Sequence, residues 1–71
     1  MNLESIQKRI LNGEVIDLDT DSDNVFCEIW FSKGRYCLTL NGRFYSTRLL
    51  FWLIKKDLKS IEKKYNTNIK L

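Results

Sequence analysis

Residues 25–40 constrain the fold most, because they predict a β-hairpin. Both halves of this segment are rich in β-branched and aromatic residues, and Lys33-Gly34 lies between them. A two-residue loop at this point pairs Trp30 with Cys37 and keeps strongly polar side chains off one side of the hairpin. A three-residue loop would mix the two sides, so the pattern favours the shorter loop.

This register divides the hairpin into an apolar side and a mixed side. The apolar side is expected to face the core and carries Val25, Cys27, Ile29, Phe31, Tyr36, Leu38 and Leu40. The mixed side is expected to face outward and carries Phe26, Glu28, Trp30, Ser32, Arg35, Cys37 and Thr39. The two cysteines point to opposite sides, so we expect no disulfide, a buried Cys27 and a partly exposed Cys37. Free thiols are typical of a reducing compartment.

Other strands are expected on both sides of the hairpin. Residues 14–19 alternate between polar and apolar types and predict a first strand with Ile16 and Leu18 facing inward. Asn41-Gly42 is a strong signal for a second two-residue turn. Residues 43–46 after it are either a short fourth strand or an extended connection to a helix. If the strand exists, Phe44 joins the outward side.

Two amphipathic helices complete the predicted fold. The first covers residues 3–11, with Asn2 as its cap and Asn12-Gly13 as its end. The second is expected to begin near Ser46 or Thr47 and to bury Leu50, Phe51, Ile54, Leu58, Ile61 and Tyr65. The predicted architecture is a single α+β domain over residues 1–71, a two-layer sandwich of order α-β-β-β-(β)-α. Its antiparallel meander sheet carries both helices on one face.

Composition argues against catalysis and against a membrane span. The 71 residues include no histidine, which excludes metal sites with histidine ligands and acid–base catalysis by histidine. They also contain no phosphate-binding glycine loop. We therefore expect no enzyme activity and no cofactor. No apolar run is long enough to span a membrane, and the first residues lack the apolar segment of a secretory signal. A cytoplasmic protein is the expectation.

A run of acidic residues raises the question of calcium. Asp17, Asp19, Asp21, Asp23 and Glu28 have the spacing of ligands in an EF-hand loop. However, Ser22 occupies the position where that loop needs glycine, and the flanking segments are predicted strands. A solvated acidic turn is the favoured interpretation, and calcium is the weaker one.

A basic stripe on the second helix offers a nucleic-acid hypothesis. Arg48, Lys55, Lys56, Lys59 and Lys63 are expected on one side of it, with Trp52 among them, although lysines are also common on an ordinary solvated face. Residues 55–59, Lys-Lys-Asp-Leu-Lys, resemble the Lys-Lys-x-Ala-Lys signature of double-stranded-RNA-binding domains, which share the order helix–three strands–helix. That resemblance implies binding of duplex RNA. In that family the signature opens the second helix, whereas here it lies two turns inside the predicted one, and the histidine-bearing loop has no counterpart.

Large apolar side chains outside the predicted core indicate a protein partner. Phe26 and Trp30 face outward from the sheet, while Leu49, Trp52 and Leu53 lie away from the core side of the helix. These side chains either cover neighbouring elements or form an interface with a partner. A homodimer would also bury them. We favour a protein-binding module that uses Phe26, Glu28, Trp30, Arg35 and Trp52, with the acidic turn at residues 19–23 on its rim.

Size and composition suggest a biological class for such a module. The chain is small and rich in asparagine, isoleucine and lysine, and in this it resembles accessory proteins of phages and mobile elements, including anti-CRISPR inhibitors. The resemblance implies an inhibitor of a host defence protein. A nucleic-acid-binding module is the alternative.

Overall fold

The central hairpin forms in the predicted register. The computed structural model describes residues 2–70, in which β2 spans Phe26–Ser32 and β3 spans Arg35–Leu40. Trp30 pairs with Cys37, as the two-residue loop requires. Lys33 and Gly34 have φ values of 53° and 77°, the left-handed conformation that a type I′ turn needs at both central positions.

The sheet is an antiparallel meander of four strands in the order β1-β2-β3-β4. β1 spans Ile16–Asp19, and the fourth strand that the sequence left open is present as β4, Arg43–Arg48. Asn41-Gly42 forms the turn before it, again with positive φ at both residues. The β3–β4 register shifts between Leu38 and Thr39, where Tyr45 is an extra residue in β4 and forms a β-bulge.

Residues 68–70 lie along the outer edge of β1. Ile69 forms an isolated bridge with Thr20, the Lys70 N–H donates to the Asp19 carbonyl at 2.7 Å, and the Asp21 N–H donates to the Asn68 carbonyl at 3.0 Å. The Ile69 N–H also donates to the Glu62 carboxylate at 2.8 Å. The sequence contained no signal for this pairing, which covers part of an otherwise unpaired strand edge.

The first helix agrees with its prediction and the second begins later than predicted. α1 spans Leu3–Leu11, and the Asn2 side chain accepts a hydrogen bond from the Ser5 N–H at 2.8 Å. α2 spans Phe51–Tyr65, so the predicted start near Ser46 or Thr47 is wrong. Both of those residues lie in β4, because pairing with β3 keeps the backbone extended through Arg48.

Both helices pack on the apolar side of the hairpin, which confirms the two-layer α+β sandwich. The core combines residues of the two helices with those of β1, β2 and β3 and with the residue before β2: Ile6, Ile10, Ile16, Leu18, Val25, Cys27, Ile29, Tyr36, Leu38, Phe51, Ile54, Leu58 and Ile61. Leu50 and Tyr65 were predicted to be buried but are 53% and 40% exposed. Leu50 has an extended backbone before the helix, and Tyr65 is the last residue before its left-handed cap, Asn66.

The fold differs from the topology that the double-stranded-RNA-binding resemblance implies. It has four strands rather than three, and Lys55 lies in the second turn of α2 rather than at its start. Asp57, in the middle of the Lys-Lys-Asp-Leu-Lys segment, is buried against β4.

Candidate functional site

The face of the sheet opposite the helices is the candidate site, and we call it the open face. Strand alternation and the observed registers assign to it Asp17, Asp19, Phe26, Glu28, Trp30, Ser32, Arg35, Cys37, Thr39, Phe44 and Thr47. Four of the five residues predicted to bind a partner, Phe26, Glu28, Trp30 and Arg35, therefore lie on this one face.

Three aromatic side chains give the open face its apolar character. Phe44 is 67% exposed and Phe26 is 44% exposed. Trp30 is half-buried, and its ring meets that of Phe44 edge to face, with centroids 6.0 Å apart and an interplanar angle of 71°. The sequence alone does not establish β4, so Phe44 is not among the predicted binding residues, although a two-residue Asn41-Gly42 turn places it opposite Thr39.

Asn41 fixes the end of β2 where Phe26 emerges. Its side-chain oxygen accepts a hydrogen bond from the Phe26 N–H, and its side-chain nitrogen donates to the Asn24 carbonyl, each at 2.9 Å. Its backbone N–H donates to the Phe26 carbonyl at 2.9 Å. The turn residue that shapes the second hairpin therefore also holds the backbone of an exposed aromatic residue in place.

The charges of the open face are mostly negative and concentrate on β1 and β2. Asp17 lies directly opposite Glu28, and Asp19 lies opposite Phe26. Arg35 supplies a positive charge at the far end of the hairpin, opposite Ser32. The open face therefore has an acidic half beside its aromatic residues.

Cys37 and Thr39 lie on the open face but are covered by the larger side chains around them. Cys37 is buried, so its predicted partial exposure is wrong. Trp30 and Thr47 stand opposite it on the two neighbouring strands. Cys27 is in the core, where burial raises its thiol pKa to about 11. Both cysteines are free, as the opposite orientations predicted.

Arg48 does not belong to the helix on which it was predicted. It lies at the end of β4, and its Nε and Nη2 atoms each donate to the Asp57 carboxylate at 2.9 Å. The Ser46 hydroxyl donates to the same carboxylate at 2.7 Å. Burial acts to raise the pKa of Asp57, but these hydrogen bonds and the Arg48 charge outweigh burial and lower it. This cluster joins α2 to β4 and engages the arginine that was assigned to phosphate binding.

The remaining predicted nucleic-acid residues lie on α2, in the other layer of the sandwich. Lys56, Lys59 and Lys63 are exposed, and Lys55 is half-buried with its ammonium 6.0 Å from the centroid of the Phe51 ring. The Lys56 ammonium lies 5.2 Å from the centroid of the Trp52 ring. Trp52 therefore accompanies the lysines and is not part of the open face.

An apolar groove with a basic rim lies between α2 and the last described residues. It has a volume of about 370 Å³ and is lined by Leu3, Lys55, Lys56, Leu58, Lys59, Glu62 and Ile69. The sequence did not indicate it, because it depends on the placement of residues 68–70 against β1.

The five acidic residues with EF-hand spacing do not converge on a metal site. Asp17 and Asp19 are in β1, Glu28 is in β2, and Asp21 and Asp23 are in the turn between them. Within residues 2–70 no three or more acidic, cysteine or histidine side chains are grouped so that they could hold a metal ion. The turn is instead organised by buried Thr20, whose hydroxyl donates to the Val25 carbonyl at 2.7 Å and accepts from the Ser22 N–H at 3.1 Å.

Comparisons with protein-family models, with curated proteins and with solved structures found no match to this chain. Neither helix in the described part of the chain is long and apolar enough to cross a membrane.

Proposed function

We propose that the protein is a small non-catalytic module that binds another protein through its open face. The observation that carries this proposal is the set of three aromatic side chains, Phe26, Trp30 and Phe44, on a sheet face that the helices leave uncovered. The solvated face of an antiparallel sheet ordinarily carries polar residues. Exposed apolar side chains grouped on one surface mark interaction sites, and Trp and Phe are enriched in such contacts.

The open face also has the rigidity that a binding surface benefits from. Its aromatic residues project from hydrogen-bonded strands, Asn41 holds the backbone at Phe26, and Trp30 and Phe44 support each other. A surface that is already ordered loses less side-chain entropy on binding. The acidic half beside the aromatic residues would orient a partner and repel a phosphate backbone, which favours a protein over a nucleic acid.

A module of this size would act by covering the surface to which it binds. Occlusion of a functional surface is inhibition, so this mode of action is compatible with the inhibitor function suggested by the composition. That the target is a host defence protein stays a prediction.

The proposal is tested by affinity capture from the source cell with nuclease-treated lysate. Phe44→Ala and Trp30→Ala are expected to lose the captured protein, because they remove the exposed aromatic surface. The matched control is Leu11→Ala, which removes a similarly exposed apolar side chain at the end of α1. Circular dichroism melts establish that each variant is folded. Capture by folded Phe44→Ala and Trp30→Ala at the wild-type level would contradict the proposal.

Nucleic-acid binding is the second candidate, because Lys56, Lys59 and Lys63 are exposed on α2 beside Trp52. Binding through these residues would weaken steeply with salt, with log K falling by about 0.9 for each phosphate contact per log unit of salt. Lys55→Glu combined with Lys59→Glu should abolish a low-salt gel shift, whereas Arg35→Glu on the open face should leave it unchanged. Absence of any shift at low salt would exclude this candidate.

A further inference from the structure

Glu28 lies near the middle of the open face, among residues of two chemical kinds. Asp17 on β1 and Thr39 on β3 stand directly opposite it, and Phe26 and Trp30 are its neighbours on the same side of β2. Cβ atoms of directly opposite residues are about 4.5–5.5 Å apart, and successive residues on one side of a strand are about 7 Å apart. Glu28 therefore has a second carboxylate beside it and an aromatic ring on each side along the strand.

The negative charge of this pair is not neutralised within the described residues. Asp17 and Glu28 make no ion pair or side-chain hydrogen bond with any residue in the range 2–70. Arg35 is four residues from Thr39 along β3, which places it about 13 Å from the row that contains Glu28. Like charges directly opposite each other destabilise a sheet. The pair is therefore an unfavourable arrangement that a bound cation would relieve.

Thr39 provides a second, independent indication of a missing partner. Its side chain is on the open face in the same row as Glu28 and is only 7% exposed. Its hydroxyl oxygen is buried and has no hydrogen-bond partner within residues 2–70. An unpaired buried hydroxyl is unfavourable, and such groups in folded proteins are ordinarily satisfied. A hydrogen-bond donor that reaches Glu28 from a partner would satisfy this oxygen as well if binding displaced the side chains that cover Thr39.

We infer that the protein partner presents an arginine side chain, which binds over Asp17 and Glu28 and stacks against Phe26 or Trp30. A guanidinium group is planar, donates several hydrogen bonds to carboxylates and stacks on aromatic rings, so it matches both kinds of residue. This inference rests on the proposed function and adds the chemistry of the partner. A second copy whose acidic half faced this one would bring two sets of carboxylates together, so a second copy is not the occupant that we infer.

The test uses two synthetic peptides and the intact ¹⁵N-labelled protein. The first peptide is Ac-Gly-Leu-Arg-Leu-Gly-NH₂, and the second replaces arginine with citrulline, which has nearly the same shape and no charge. We expect the arginine peptide to shift the signals of Glu28, Thr39 and the Trp30 indole, and to bind about tenfold tighter than the citrulline peptide. In the variant combining Asp17→Asn and Glu28→Gln, the ratio of the two affinities should fall to about one. This variant should fold, because it removes like-charge repulsion.

Three results would overturn the inference. They are equal affinities for the two peptides, a preference for the arginine peptide that survives in the double variant, and the absence of signal shifts on the open face.

Failure of this inference can be distinguished from failure of the proposed function. If Phe44→Ala abolishes capture of the partner but the double variant captures it normally, the open face binds a protein without using arginine and the inference is overturned. If the arginine peptide binds as expected but Phe44→Ala does not affect capture, Asp17 and Glu28 do bind an arginine side chain and the proposed function is wrong.

Discussion

The two faces of the sheet are built from the same strands but differ in every property that matters for binding. Along β2 the covered face carries Cys27 and Ile29, both fully buried beneath the helices. The open face of the same strand carries Phe26, Glu28 and Trp30, which no helix covers. Stability therefore depends mainly on the covered face, and the open face can be specialised for recognition. Substitutions on the two faces should separate folding from binding.

The same contrast holds for the charged groups. Asp57, which is buried against β4, is bonded by Arg48 and Ser46. Asp17 and Glu28, on the open face, stand opposite each other, and neither makes an ion pair within residues 2–70. Burial of a carboxylate is unfavourable unless hydrogen-bond donors or a cation compensate for the lost water, whereas a carboxylate in contact with water needs no such partners. The unpaired charge of Asp17 and Glu28 therefore lies on a surface that water and a binding partner can reach.

The largest expected effect is from a cavity on the covered face. Leu38→Ala should lower the free energy of unfolding by about 3–5 kcal/mol, because Leu38 is fully buried. A chain of 71 residues has about 4–11 kcal/mol of total stability, so the loss should be about a quarter of the total or more. Urea unfolding measured by circular dichroism checks this. Phe44→Ala on the open face is the comparison and should cost far less; equal losses would contradict the division between the faces.

The reactivity of the Cys27 thiol tests whether the covered face is closed to solvent. With a pKa of about 11 against an ordinary 9.0, Cys27 should have about 100-fold less thiolate than an exposed cysteine near pH 8. In Cys37→Ser, which leaves only Cys27, reaction with a disulfide reagent should therefore proceed only as fast as the protein opens. Stopped-flow absorbance in the native state and in urea gives the two rates. Rapid labelling of native Cys37→Ser would show that the covered face is open to solvent.

Removal of the buried carboxylate should have an intermediate effect that depends on pH. Asp57→Asn should lower the free energy of unfolding by about 1–3 kcal/mol at pH 7, less than for a fully buried pair because Arg48 is partly exposed. The folded-state pKa of Asp57 is below its ordinary value of 3.8. Its stabilisation is therefore present above pH 3.8 and is lost as the pH falls through the folded-state pKa. The difference between wild type and variant should shrink toward pH 2, as measured by urea unfolding across pH. Asp23→Asn, in the exposed turn, is the control, and a difference that is constant with pH would contradict the assignment.

The smallest expected effect has the opposite sign. Glu28→Gln should raise the free energy of unfolding by about 0.2–1 kcal/mol, because it removes repulsion from Asp17. The increase should disappear when Asp17→Asn is already present, and a double-mutant cycle of thermal melts measures this coupling. A destabilising Glu28→Gln would show that Glu28 has a structural role rather than one in recognition.

Much of the architecture follows from short-range patterns. The register of β2 and β3, both tight turns and the limits of α1 depend on neighbouring residues, and all agree with the structure. The candidate site was predicted in part, since alternation placed Phe26, Glu28 and Trp30 outward. The helical pattern shows only that Trp52 is away from the core side of α2, and the structure places it on the other layer of the sandwich.

The sequence by itself determined the two sides of the central hairpin, because turn geometry and the two-residue period of a strand act locally. Tertiary structure decided what depends on distant partners. Pairing with β3 kept Ser46 and Thr47 in a strand despite their preference for capping a helix, and Asp57 is buried because Arg48 meets it across two elements. It also placed the acidic pair, Asp17 and Glu28, side by side, because the turn between β1 and β2, residues 20–25, is too long to fix the register of the two strands by itself.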